Sequence, residues 1–166
     1  MKSIIIFGSK YGTAEMCARK LKEKLGGEVD LVDINTNKDI SLSDYDKVII
    51  GGSIYMGMMN KEIKNFVQNN KEELIKKDFG LFMVCMSDNE KAKQQFKENF
   101  DEDILKNAKG KVNFGGAFLF SKMNFFERQM IKMISKSQKN DEKVDGKKDI
   151  NRIDESSISD FVKIMN

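Results

Sequence analysis

Residues 3–7, Ser-Ile-Ile-Ile-Phe, are apolar almost without a break. After Thr13 the period changes at once: Ala14, Cys17, Ala18, Leu21 and Leu25 recur three and four apart. A continuous apolar run fits a strand covered on both faces, and a three-four spacing fits a helix with one buried face. Gly26-Gly27 then supplies a helix stop. The handover repeats. Strands are read at Glu28–Ile34, where alternation suggests a place near an edge, at Asp46–Ser53, at Phe79–Met86 and at Lys111–Phe120. Between them come a helix from Asn60 carrying Ile63, Phe66, Val67 and Leu74, and another carrying Ala92, Phe96 and Phe100, with Ser87 and Glu90 spaced as its capping box. A last helix starts at Asp154 and buries Ile158, Phe161, Val162 and either Ile164 or Met165. No two strands are joined by a tight hairpin signal. Strict alternation of this kind constrains the chain to an α/β fold, a doubly wound parallel sheet with helices on both faces.

In such sheets ligands sit beyond the carboxyl ends of the strands, where the strand order reverses. Three loops would meet there: 8–13, 53–60 and 86–89. The first, Gly8-Ser9-Lys10-Tyr11-Gly12-Thr13, places small and hydroxyl-bearing residues where a strand hands over to a helix. Unpaired N–H groups and the helix dipole make that point attractive to a phosphate. The same residues would also serve a plain turn, with Gly12 for backbone freedom and Ser9 or Thr13 as N-cap. The loop alone leaves both readings open.

Composition narrows the chemistry. The 166 residues, expected to form one domain, contain no histidine, which excludes Ser-His-Asp and Cys-His catalysis and argues against a zinc site. Whatever chemistry the chain performs is expected to rely on a cofactor. The two cysteines, Cys17 and Cys85, are far apart in apolar contexts and read as buried thiols of a reducing compartment. No run reaches membrane-span length and no leader pattern opens the chain, so the expectation is a cytoplasmic protein. Nothing in the pattern points to nucleic acid.

Residues 121–152 break the rhythm. They hold nine Lys or Arg against five Asp or Glu, a net of +4, in a chain whose total is +3. Their first half is an amphipathic helix candidate with Met123, Phe126, Met130 and Ile134 on one stripe and Phe125, Ile131 and Met133 beside it. Arg128, Lys132 and Lys136 follow at intervals of four and share a face. The second half is polar and reads as mobile. A helix packed on the domain with a solvated linker would account for this segment. So would a basic, apolar platform for a membrane surface, a lipophilic substrate or a partner.

Taken together, these stretches resemble a known family. Phe7–Met16 is similar to the phosphate loop of flavodoxin-type FMN proteins. Gly51–Asn60 resembles their second flavin loop, and Cys85–Glu90 their third. The resemblance implies a five-stranded sheet of order 2-1-3-4-5 and FMN as cofactor. It places Ser9, Lys10, Tyr11, Gly12 and Thr13 around the phosphate. Ser53, Ile54, Tyr55, Met56 and Gly57 would lie along the ring, and Met86, Ser87, Asp88 and Asn89 would close its other side. Ala14 stands where the family usually has a hydroxyl, so one phosphate contact is missing or taken over by Thr13.

Phe114–Lys143, and above all Phe125–Ile134, resembles the corresponding stretch of the menaquinone-dependent protoporphyrinogen dehydrogenases. That implies an enzyme of heme synthesis, oxidising protoporphyrinogen IX with a quinone as acceptor. Phe125, Phe126, Arg128, Lys132 and Lys136 would form the substrate or partner surface, and the insert, at about 121–149, would reach peripherally to a membrane. The alternative is a flavodoxin-like electron carrier with a protein partner. A sequence pI near 8.7 speaks against the usual acidic carrier, as does a third loop without an aromatic residue.

Overall fold

In the structure, a computed structural model describing residues 1–137 and 144–166, the alternation resolves into five parallel strands. These are β1 (Lys2–Gly8), β2 (Glu28–Asp33), β3 (Lys47–Tyr55), β5 (Asp78–Val84) and β6 (Gly110–Asn113), in spatial order β2-β1-β3-β5-β6. Counting the parallel strands alone, that is the expected 2-1-3-4-5 order, with β2 at one edge. Alternate residues of each strand feed two cores. Ile4, Ile6, Val48, Ile50, Leu81 and Met83 pack on one face with Ile63, Phe66, Val67, Phe96 and Ile104, from helices α2 (Lys61–Asn69), α4 (Asn89–Asn99) and α5 (Glu102–Asn107). Ile5, Phe7, Ile49, Phe82 and Val84 pack on the other with Ala14, Cys17, Leu21, Ile158, Phe161 and Met165, from α1 (Thr13–Leu25) and α7 (Glu155–Met165). The near-continuous apolar strands follow from this double coverage.

Several details differ from the sequence reading, each for a local reason. The second helix stops at Asn69, and Leu74 belongs to a separate short turn, α3 (Lys71–Leu74). Asn60 does cap α2, its Oδ1 accepting from the Glu62 and Ile63 N–H groups. The cap of α4 is Asp88, whose side chain accepts from the Lys91 N–H, and not Ser87. In α7 the residue that turns inward is Met165, while Ile164 is exposed. A tight hairpin also exists. β3 pairs antiparallel with the two-residue β4 (Met58–Met59) through Tyr55 and Met58. Its central residues Met56 and Gly57 both have positive φ, 54° and 78°, as a type I′ turn requires. Because the first central residue is a methionine, the usual Asn-Gly or Asp-Gly signal was missing.

The largest difference is in the fifth strand, expected at 111–120. Gly115 has φ 78° and splits it. β6 stays in the parallel sheet, and β7 (Gly115–Phe118) leaves to pair antiparallel with β8 (Ile150–Ile153), a strand the sequence reading did not anticipate. A 3-10 turn at Phe120–Lys122 leads into helix α6 (Phe125–Ser137). β7, α6 and β8 thus form a small layer of their own, standing on the carboxyl-terminal side of the sheet. The expected polar half of the insert falls partly on residues 138–143, outside the described residues.

Candidate functional site

The β1–α1 loop is shaped by Ser9 and Gly12. The Gly12 N–H donates to Ser9 Oγ at 3.0 Å, and Gly12, at φ 94°, occupies the N-cap position of α1. Among the described residues no side chain caps that helix, so neither Ser9 nor Thr13 plays the N-cap role of the plain-turn reading. The loop is braced from outside. Asn60 Nδ2 donates to Asn35 Oδ1, and Asn35 Nδ2 donates to the Ser9 carbonyl, each at 3.2 Å. Thr13 is buried and Ala14 completely so. The Tyr11 hydroxyl is buried beside Glu127 and Lys10, with no well-formed hydrogen bond among the described residues, and burial raises its pKa. Lys10 turns away from the loop's helix end. Its Nζ contacts Glu127 Oε1 at 2.5 Å and lies 4.2 Å from the centre of the Tyr55 ring. The Glu127 contact holds the Lys10 ammonium well above its ordinary pKa and draws the Glu127 carboxyl down to about 2.

The second and third loops face one cavity of about 410 Å³. Ile54, Tyr55, Met56 and Gly57 line it from the hairpin, and Met86 and Ser87 from the β5–α4 turn. Ser53 lines a smaller cavity of about 70 Å³, which Lys10, Tyr11 and Thr13 bound on the phosphate-loop side and which shares Tyr55 and Met86 with the larger one. Asp88 and Asn89 line neither cavity; they are exposed and begin α4.

Two asparagines missed in the sequence hold these loops. Asn99, buried, accepts from the Met59 N–H at 2.8 Å and donates to the Gly57 carbonyl at 3.1 Å, fixing the hairpin to α4. Asn113 accepts from the Cys85 N–H and donates to the Cys85 carbonyl, at 3.1 and 3.2 Å, holding the third loop against β6.

The insert supplies the cavity's remaining walls. Phe118 of β7, Ile131 and Ile134 of α6, and Ile150 and Arg152 of β8 line it opposite the loops. It rests on a small cluster of its own, in which Phe120, Met123 and Ile131 are buried with Tyr11 and Phe118 against them. The structure places the five residues expected as a substrate or partner surface in different surroundings. Phe125 and Phe126 are 70% and 78% exposed, with their rings in contact. Arg128 is half-buried and its Nε donates to the Met123 carbonyl at 3.1 Å, within its own turn. The Lys132 stem runs beside Gly146, and Lys136 is exposed. The cations that reach the cavity are instead Lys91 and Arg152, which no spacing rule connects to it.

A flavodoxin-domain family model matches residues 4–145. The chain belongs to the flavodoxin-domain family. Two curated relatives are protoporphyrinogen IX dehydrogenases [quinone]. That of Leishmania major is 28% identical over 124 residues, covering 72% of this chain and 54% of the relative, so the chain spans about half that protein's length. That of Escherichia coli K12 is 24% identical over 172 residues, covering 98% of this chain and 93% of the relative. Among solved structures, flavodoxin 2 of Bacillus cereus superposes with a TM-score of 0.61 at 16% identity, covering 99% of this chain and 97% of that one, a likeness of fold.

The cofactor that this membership supports is FMN, and the residues fit it. An uncapped helix start beside a glycine at positive φ offers backbone donors to a phosphate. The Tyr11 hydroxyl, buried at the same loop, makes no well-formed hydrogen bond among the described residues. From there two adjoining cavities run between Tyr55 and Met86, room for a flat ring system. The Lys10 ammonium covers one face of the Tyr55 ring, so a stacked flavin would take the other face or displace it.

Proposed function

We propose that this flavodoxin-family protein is an FMN-dependent oxidoreductase that oxidises protoporphyrinogen IX and passes the electrons to a menaquinone-type quinone. The observation that carries the reading is the cavity of about 410 Å³. One wall is made by the two flavin loops, and the opposite wall by the insert. A carrier that hands electrons to a docked protein needs only an exposed ring edge, whereas a roofed apolar cavity beside the ring serves a small lipophilic reactant. The relatives' names point the same way.

Bound FMN would supply the hydride and electron chemistry, which the chain's own side chains cannot. The protein's contribution is positional. Ser9, Gly12 and Thr13 shape the phosphate end, and Tyr55 and Met86 flank the ring. Ile131, Ile134 and Phe118 keep water from the reactants, while Lys91 and Arg152 offer positive charge to the carboxylates of a porphyrinogen. Phe125 and Phe126, exposed at the start of a basic helix, suit peripheral contact with the membrane in which a quinone resides. Among the described residues no helix is long and apolar enough to cross a membrane.

The test is an anaerobic assay of FMN-loaded protein with protoporphyrinogen IX and a menaquinone analogue, following porphyrin fluorescence. Quinone-dependent porphyrin formation above the blank is the expected result. No turnover from protein whose FMN is bound and reducible would leave an electron carrier as the better account.

A further inference from the structure

The phosphate loop has a neighbour that belongs to neither β1 nor α1. Lys122, the last residue of the 3-10 turn at the start of the insert, extends its side chain across 111 positions of sequence. Its Nζ donates to the Tyr11 carbonyl at 2.9 Å. The same ammonium lies 3.6 Å from the point that a Cβ on Gly12 would occupy, and among the described residues, Gly12's chain neighbours aside, nothing else comes within 4 Å of it. It therefore stands over the residue that caps α1, at the end of the loop where the helix donors lack a side-chain cap.

Its approach is built rather than incidental. Phe120 and Met123 are buried on either side of it in the sequence. Ser121 between them is clamped by Asp149, whose Oδ1 accepts from the Ser121 N–H at 2.9 Å and whose Oδ2 accepts from Ser121 Oγ at 2.7 Å. The backbone of Lys122 is thus held while its side chain stays exposed. Among the described residues no carboxylate stands within ion-pair distance of its Nζ, unlike Lys10, which Glu127 engages. An ammonium has three donors; one on the Tyr11 carbonyl leaves two for a ligand.

We propose that Lys122 is a phosphate-binding residue of the FMN site, an ammonium supplied by the insert where Ala14 provides no hydroxyl. Ala14 is completely buried and its side chain has no donor to offer. Lys10, the lysine within the loop, points toward Tyr55 and Glu127. The inference rests on the FMN reading and deepens it: the insert roofs the ring end of the site and also charges its phosphate end. Charge-assisted bonds to phosphate are stronger than neutral ones, so the consequence is selectivity for the phosphorylated flavin.

The experiment compares FMN with riboflavin, which lacks the phosphate, by flavin-fluorescence titration of apoprotein and its Lys122→Met variant. The methionine keeps the stem length and removes the ammonium, including its donor to the Tyr11 carbonyl; a thermal melt of each protein checks folding. The wild type is expected to prefer FMN, and Lys122→Met to weaken FMN by about tenfold or more, the low end for losing a charged hydrogen bond. Riboflavin affinity should stay within about twofold on the same reasoning. Lys122→Arg should restore most of the preference. An unchanged FMN-to-riboflavin ratio in Lys122→Met, or an equal loss of both flavins, overturns the assignment of Lys122. A wild type that binds neither flavin overturns the FMN reading itself, an outcome distinct from the other two.

Discussion

The sheet with its flanking helices and the insert layer are built by different rules. In the sheet the apolar strand residues divide between two large cores, and Phe79, Phe82, Phe114 and Phe161 are fully buried. In the insert three buried residues, Phe120, Met123 and Ile131, anchor β7, α6 and β8. Much of the remaining hold is polar: Lys10 with Glu127, Lys122 with the Tyr11 carbonyl, and Ser121 with Asp149. Two of those ties end on the phosphate loop. The sheet would therefore fold as a frame, and the insert would report on what occupies the loop. A layer held by few apolar contacts opens at lower free energy than a core.

The comparison is tested most severely at Phe161, which packs edge-on against Phe114 at 5.6 Å between ring centres. Phe161→Ala should cost about 3–5 kcal/mol of global stability, the usual range for an emptied aromatic site. Urea denaturation followed by far-UV circular dichroism measures it. A loss under 1 kcal/mol would mean that the frame is far more plastic than its burial implies.

Ile131→Ala is the matching cut in the insert. It should cost about 2 kcal/mol, the low end for such truncations, and the loss should be local. Hydrogen exchange should show α6 and β8 amides exchanging faster while those of β1, β3 and β5 keep their protection. If the sheet amides accelerate equally, the two layers are one cooperative unit.

Much of this division can be read from the residues, and the part that cannot has a physical reason. β1, α1 and β3 announce themselves because each buries a periodic set against a core, and Asn60 and Asp154 because caps are local in sequence. The β1–α1 loop is legible because Gly8 and Gly12 punctuate the handover from strand to helix. Asn99, Asn113, Lys91, Arg152 and Lys122 were not, since each acts across a long stretch of chain and has no spacing to betray it. β8 was missed because Ile-Asn-Arg-Ile carries little apolar signal and forms only against β7. The Gly115 break was hidden inside a run that looked continuous.

The polar side of the comparison has a pH signature. In the folded protein the Glu127 carboxyl is drawn down to about 2, first by the Lys10 ammonium, then by the neighbouring Tyr11 hydroxyl and the Asn124 N–H. Its ordinary value is 4.5. A depressed pKa means that the contribution is whole above pH 4.5 and is lost progressively as the pH falls toward 2. Exchange of α6 amides should therefore quicken across that window before the sheet responds. In Glu127→Gln the quickening should be present at neutral pH and nearly flat through the window. A wild-type α6 that remains as protected at pH 3 as at pH 7 would show that the ion pair does not hold the insert.

The smallest effect on stability, and the sharpest on function, belongs to Phe125 and Phe126. Both side chains stand in solvent, in contact chiefly with each other. Replacing both with serine should change global stability by less than about 0.5 kcal/mol, as for other surface positions. Neither lines the cavity, so turnover of a water-soluble quinone by FMN-loaded protein should be kept. Turnover of a long-chain quinone held in anionic vesicles should fall, because apolar insertion beside a basic helix is what would bring the cavity to the lipid. Equal loss with both quinones would place the two rings in the reaction site, and no loss with either would make them surface residues without a membrane role.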